Sequence, residues 1–181
     1  MPRFEEGSLA FDFDDEWRIL KLDEHRDYRQ QIERLVEGTK AVDFLGILNE
    51  RELYLIEVKD FRGHRIETRD RLLKGELPIE VAQKVRDSLA CIIGAFRTSS
   101  EPEFWQPYAM LLCNRDSTIK IALWLENDLP PPHPRLRQKA RASISSNVFK
   151  QKLTWLTSRV LVCGSDKQDL PNVVVSNLPR T

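Results

Sequence analysis

With 181 residues, 41% of them hydrophobic and 31% charged, the chain is long enough for one well-buried domain and too short for two comfortable ones. No run approaches the ~20 consecutive apolar residues of a membrane span, and Met1–Glu6 lacks the basic segment and apolar core of a secretory signal. The formal net charge of zero hides sixteen acids against nine bases over residues 1–60, and seven bases with no acid over residues 129–165, so it does not argue against a nucleic-acid partner.

Residues 1–22 read as a lead-in of loose chain and short strands, ahead of a single domain over 23–181. Within the lead-in, Phe11–Phe13 and Trp17–Leu22 predict a short hairpin or an N-terminal strand. From about Asp23 to Glu37 the pattern turns helical, with Tyr28, Ile32, Leu35 and Val36 on one stripe and Gly38 as a stop. Two apolar strand runs come next, Ala41–Leu48 and Glu52–Asp60, joined by the polar turn Asn49–Arg51. Phe61–Leu77 is a polar, arginine-rich connection. Pro78 opens a helix that runs to about Phe96, with Val81, Val85, Leu89, Ile92 and Ile93 at helical spacing. Tyr108–Cys113 and Ile119–Glu126 predict two further strands around the turn Asn114–Ser117. Leu129–Pro134 is a rigid linker into an amphipathic helix over Pro134–Leu156, and Val160–Cys163 and Val173–Val175 close the chain as strands. This order predicts an α/β or α+β fold, a sheet flanked by helices.

Cys91, Cys113 and Cys163 are widely spaced among apolar neighbours and read as reduced core thiols, which places the protein in the cytoplasm. Trp105, Trp124 and Trp155 read as core. His25, His64 and His133 lack ligand spacing and read as surface residues.

The chemistry gathers in the hairpin. Asp43, Glu57 and Lys59 interrupt two otherwise apolar strands, and a charge buried there costs several kcal/mol unless a partner or a metal takes it. Two carboxylates of this kind suit Mg²⁺ or Mn²⁺. Residues two apart on a strand share a face, so Lys59 stands beside Glu57, placed to orient or help deprotonate a metal-bound water, or to stabilise charge on a phosphorane-like transition state. The plain alternative is a cross-strand ion pair between Asp43 and Lys59, which leaves Glu57 unexplained.

Asp43 with Glu57-Val58-Lys59 resembles the signature of the PD-(D/E)XK nuclease superfamily, an Asp followed by (Asp/Glu)-x-Lys. The resemblance covers about residues 23–126. Val42 stands where the family's name-giving proline often does. The resemblance implies a restriction endonuclease-like fold, a mixed β-sheet between helices, and metal-dependent hydrolysis of nucleic-acid phosphodiesters, with DNA favoured. Asp43, Glu57 and the Val58 carbonyl would hold Mg²⁺ (or Mn²⁺), and Lys59 would be the catalytic lysine. An extra helix acid is implied, with Glu33 as the nearest candidate and Glu24 and Glu37 as rivals. Gln83, beside Lys84, matches the family's Gln or Lys on the following helix, against its plain reading as a surface amide.

Nucleic-acid contacts are expected from Arg62 and Arg65 at the rim of the site and from Arg137 and Arg141, one helical turn apart. A salt-bridged surface loop is the alternative for the first pair. No base-reading motif is visible. A homodimer would suit an enzyme that cuts both strands, by analogy with the family. The alternative function is a nuclease-fold module that binds nucleic acid or a protein and does not cut.

Overall fold

A computed structural model describes residues 1–62, 75–126 and 147–179. Arg65, Arg137, Arg141, His64 and His133 lie outside the described residues, as does most of the helix expected over Pro134–Leu156. Among the described residues no helix is long and apolar enough to cross a membrane.

Five strands form the central sheet, in the order β3 (Trp17–Lys21), β4 (Phe44–Leu48), β5 (Glu52–Asp60), β6 (Thr118–Glu126) and β7 (Val160–Cys163). Strands β3, β4 and β5 pair antiparallel in succession, whereas β5, β6 and β7 pair in parallel, so the sheet is mixed. The β4–β5 turn places Asn49 at φ 50° and Glu50 at φ 56°, the left-handed pair that matches the twist of a tight hairpin. Gly46 lets β3 press onto β4: a Cβ there would stand 2.8 Å from the Trp17 ring and from Ile19 Cδ1.

Strict alternation along β5 separates the two faces. Leu53 and Leu55 point to a layer of helices, together with Leu45, Ile47, Ile121 and Leu123. That layer holds α1 (26–35), α2 (Glu76–Thr98), α3 (Pro102–Cys113) and α4 (147–153). Tyr54, Ile56 and Val58 point the other way, onto a second, three-stranded antiparallel sheet of β1 (Arg3–Glu6), β2 (Leu9–Phe13) and β8 (Val173–Asn177). Phe11 and Phe13 of this sheet pack against Phe44, and Phe11 also meets Trp124 edge-on. The fold is mixed α/β, as expected, and among the described residues helices cover one face of the central sheet and a small second sheet covers the other.

Several local expectations change. Phe11–Phe13 and Trp17–Leu22 do not pair with each other, because β2 and β3 belong to different sheets. Tyr108–Cys113 is not a strand but the second half of α3, an apolar run too short for periodicity to distinguish, in a helix that carries Pro107 inside it. Leu35 and Val36 are 76% and 58% exposed instead of sharing the stripe of Tyr28. The turns of α1 over Tyr28–Glu33 are π-helical, and the extra residue per turn rotates Leu35 and Val36 off the buried face. Trp155, expected in the core, is 55% exposed, two residues beyond the buried Leu153. Cys113 is exposed at the end of α3, while Cys91 and Cys163 are buried. His25, expected on the surface, is half-buried against the rings of Phe104 and Trp105.

Candidate active site

The helix-facing row of β5 continues from Leu53 and Leu55 to Glu57 and Lys59, so the two charged residues lie under α2. Glu57 is 0% exposed. Helix α2 answers with Glu80 and Lys84, one turn apart on the same face. Lys59 Nζ lies 3.0 Å from Glu57 Oε1 and 3.0 Å from Glu80 Oε1. Lys84 Nζ lies 2.7 Å from the same Glu57 oxygen and 3.5 Å from Asp43 Oδ1. These close charge contacts give the buried Glu57 carboxylate two ammonium partners, both at Oε1. The expected Asp43–Lys59 pair does not form: each lysine turns to other carboxylates.

Asp43 immediately precedes β4. The antiparallel register runs out at Phe44 opposite Ile56, and one step further Asp43 faces Glu57. There the Asp43 carboxylate replaces the missing strand: its Oδ2 accepts the Val58 N–H at 2.6 Å. The backbone leading into Asp43 is fixed group by group, as a buried segment requires. Tyr28 Oη donates to the Thr39 carbonyl and accepts the Ala41 N–H. Asp87 accepts the Lys40 N–H and Ser88 Oγ accepts the Val42 N–H. The Asp43 carbonyl accepts the Leu22 N–H from the end of β3 at 2.9 Å. Helices α1 and α2 and strand β3 thus all position one carboxylate.

Acids cluster on the other side of Asp43. Carboxylate oxygens of Glu6, Asp23 and Asp43 lie within 4.8 Å of one another, and Asp23 Oδ1 is buried without a hydrogen-bond partner. Burial, reinforced by the Asp43 and Glu6 charges, pushes the Asp23 carboxyl up to about 6. Burial and the Asp43 charge push Glu57 up to about 7 despite both lysines. Asp43 itself is raised, chiefly by burial, with Lys84 and the Val58 hydrogen bond working the other way. Burial draws Lys59 down, but the Glu57 and Glu80 carboxylates outweigh it and hold this ammonium above the ordinary lysine range. The donor set is all oxygen and crowded: Lys21 reaches Glu6 at 2.9 Å and Lys84 reaches Asp43 at 3.5 Å, while Asp23 has no ion pair among the described residues, and oxygen ligands of this kind suit a hard divalent cation.

The structure therefore brings Asp43, Glu57, the Val58 backbone and Lys59 together. Glu33 is not in the acid cluster: it is exposed and lines a polar cleft beside it. Glu24 is tied to Lys21 at 2.7 Å, and Glu37 is exposed. Gln83 is also elsewhere, in a surface groove with Ile79, Arg86, Lys152 and Trp155, and its neighbour Lys84 occupies the site instead. Arg62 is committed to structure. Its Nη2 pairs with Asp60 at 2.6 Å, and the guanidinium also binds Ser8 and Asn177, which clamps the end of β5 to the small sheet.

Sequence patterning alone missed Asp23, Glu6 and Glu80. Asp23 lies in the turn beyond β3 and Glu6 at the end of β1, so neither has a spacing that ties it to Asp43. Glu80 had a signal: it stands four residues before Lys84 on a helix that comes after the motif.

No family model and no solved structure matches the chain. Among curated proteins it is similar to a cysteine–tRNA ligase of Neisseria meningitidis serogroup A, 28% identical over 180 residues that take in 84% of this chain and 24% of that protein. The chain spans about a quarter of the length of this relative.

Proposed function

We propose that the chain is a metal-dependent phosphodiester hydrolase, a nuclease of restriction endonuclease-like fold acting on nucleic acid, with DNA as the first substrate to test. One observation carries the reading: Asp43, the fully buried Glu57 and Lys59 converge where β4 gives way beside β5, two carboxylates and a lysine at one end of an otherwise apolar hairpin. A stability role does not account for this, since an apolar replacement of the same volume avoids the desolvation cost. The mixed sheet, with β5 and β6 in parallel after an antiparallel run, agrees with the core the resemblance implies.

Asp43 and Glu57 would hold Mg²⁺ or Mn²⁺, with the Val58 carbonyl beside them. When bound, the ion supplies Lewis acidity at a phosphoryl oxygen and neutralises the crowded carboxylates. The chain's own groups do the rest. Lys59 stays cationic at neutral pH, because Glu57 and Glu80 hold its proton. As a cation it would act by hydrogen-bond donation and charge, orienting the attacking water and stabilising the pentacovalent phosphorus. Lys84 offsets the Glu57 charge, and Ser88, Asp87 and Tyr28 keep Asp43 in place.

The test is incubation of the purified protein with plasmid, linear, branched and single-stranded DNA, with and without Mg²⁺ or Mn²⁺. RNA belongs in the panel because the ligase relative is named for tRNA. Metal-dependent cleavage of any of these is the expected result. Metal-independent binding without cleavage of any would replace the enzyme with a nuclease-fold binding module.

A further inference from the structure

We propose that the polar cleft next to Lys84 is a phosphate-binding subsite, in which Arg29 and Lys40 hold a backbone phosphodiester adjacent to the one at Asp43 and Glu57. The proposal rests on the nucleic-acid reading above and deepens it. The cleft has a volume of about 440 Å³, room for a nucleotide-sized group. Asp23 and Lys84 line it, so it opens directly onto the candidate site.

Its remaining walls carry two cations that serve no ion pair among the described residues. Arg29 spends Nε on the Asp23 carbonyl at 2.9 Å, which fixes the stem, and among the described residues its terminal nitrogens have no partner. Lys40 is exposed, and its ammonium also has no partner among the described residues. Arg29 and Glu33 come from the π-helical turns, a rare distortion that recurs at functional sites and here shapes the cleft wall. Lys40 comes from the segment that Tyr28, Asp87 and Ser88 pin in front of Asp43. The two cations are thus carried by the same elements that position the carboxylate, which fixes where their backbones stand relative to it. Lys84 is turned to Glu57 and Asp43, so Arg29 and Lys40 are the cleft's own cations, set against Asp23 and Glu33. A polymer with regularly spaced phosphates suits a cation pair set beside a hydrolytic centre.

Metal-free binding to a short DNA duplex and to single-stranded RNA, measured over a range of salt, tests the subsite without reference to cleavage. Arg29→Ala and Lys40→Ala should each weaken binding. Each should lower the slope of log K against log salt by about 0.9 on duplex or about 0.7 on single strands, one phosphate contact apiece. Arg29→Lys should retain most of the slope, and Arg115→Ala, in an exposed turn, should leave it unchanged. Lys40→Ala removes a side chain without partners among the described residues, so its folding is not at stake. Unchanged slopes in both alanine variants, an equal loss in Arg115→Ala, or no binding to either polymer would overturn the proposal. A protein that binds through Arg29 and Lys40 yet cuts nothing would keep the subsite and lose the nuclease. Cleavage with unchanged slopes would do the reverse.

Discussion

Lys84 Nζ stands 2.7 Å from Glu57 Oε1 in a layer otherwise built of Leu53, Leu55, Val81 and Val85. An ammonium in that position has one evident purpose in the metal-free protein, to offset a carboxylate that burial disfavours. Replacing it with methionine keeps the volume and removes the charge. Lys84→Met should raise the Glu57 pKa above its present value of about 7. The variant should then lose stability at pH 8, where Glu57 ionises, and lose little at pH 5, where it is neutral. Urea unfolding at the two pH values checks this, and equal losses at both would exclude the pairing as the cause.

Stability of the metal-free protein should depend on pH through the same group. The folded state keeps the Glu57 proton to about pH 7, whereas the unfolded chain releases it near 4.5. Between those values the folded state binds more protons, so the stability that Glu57 contributes is full below about 4.5 and lost as pH rises through 7. Asp23, raised from 3.8 to about 6, acts in the same direction. His25, lowered chiefly by burial, acts in the opposite one. Glu57→Gln isolates the carboxyl: it should flatten the profile and raise Tm at pH 8. Added Mg²⁺ should raise the wild-type Tm at pH 8 and leave that of Asp43→Ala unmoved, as expected of a ligand that binds only the folded site.

Asp27 has a different role, in holding the frame. It is 4% exposed, and one carboxylate oxygen accepts both Trp105 Nε1 and Ser99 Oγ at 2.7 Å, which ties the start of α1 to the α2–α3 junction. Asp27→Ala strands a buried indole N–H and should cost about 1–3 kcal/mol in chemical denaturation. A change much smaller than that would mean that Trp105 finds another acceptor. Metal affinity should survive, since Asp27 does not belong to the acid cluster.

The hairpin was legible from the sequence because its signal is local. Continuous apolar runs set the strands, a polar turn joins them, and the three charges stand out against hydrocarbon. Helix α2 was legible for the same reason, through Val81, Val85 and Ile92. The features that remained hidden depend on contacts distant in sequence. Asp23 and Glu6 reach Asp43 only because β3 and β1 fold back beside it, and no spacing rule encodes that approach. The second sheet was hidden too, since β1, β2 and β8 come from opposite ends of the chain. Gln83 was favoured over Lys84 by resemblance alone, and the rotation of α2 selects the lysine. Leu35 and Val36 misled because a π-helical turn breaks the 3.6-residue period on which the stripe was read.

The role of the β4–β5 hairpin is tested most directly by DNA cleavage with the wild type, Asp43→Ala and Lys59→Ala side by side in Mg²⁺ or Mn²⁺, with circular dichroism to establish that all three are folded. Metal-dependent cleavage by the wild type, abolished in both variants with the fold intact, is the predicted result. Cleavage that survives both substitutions would contradict it and move the chemistry away from the hairpin.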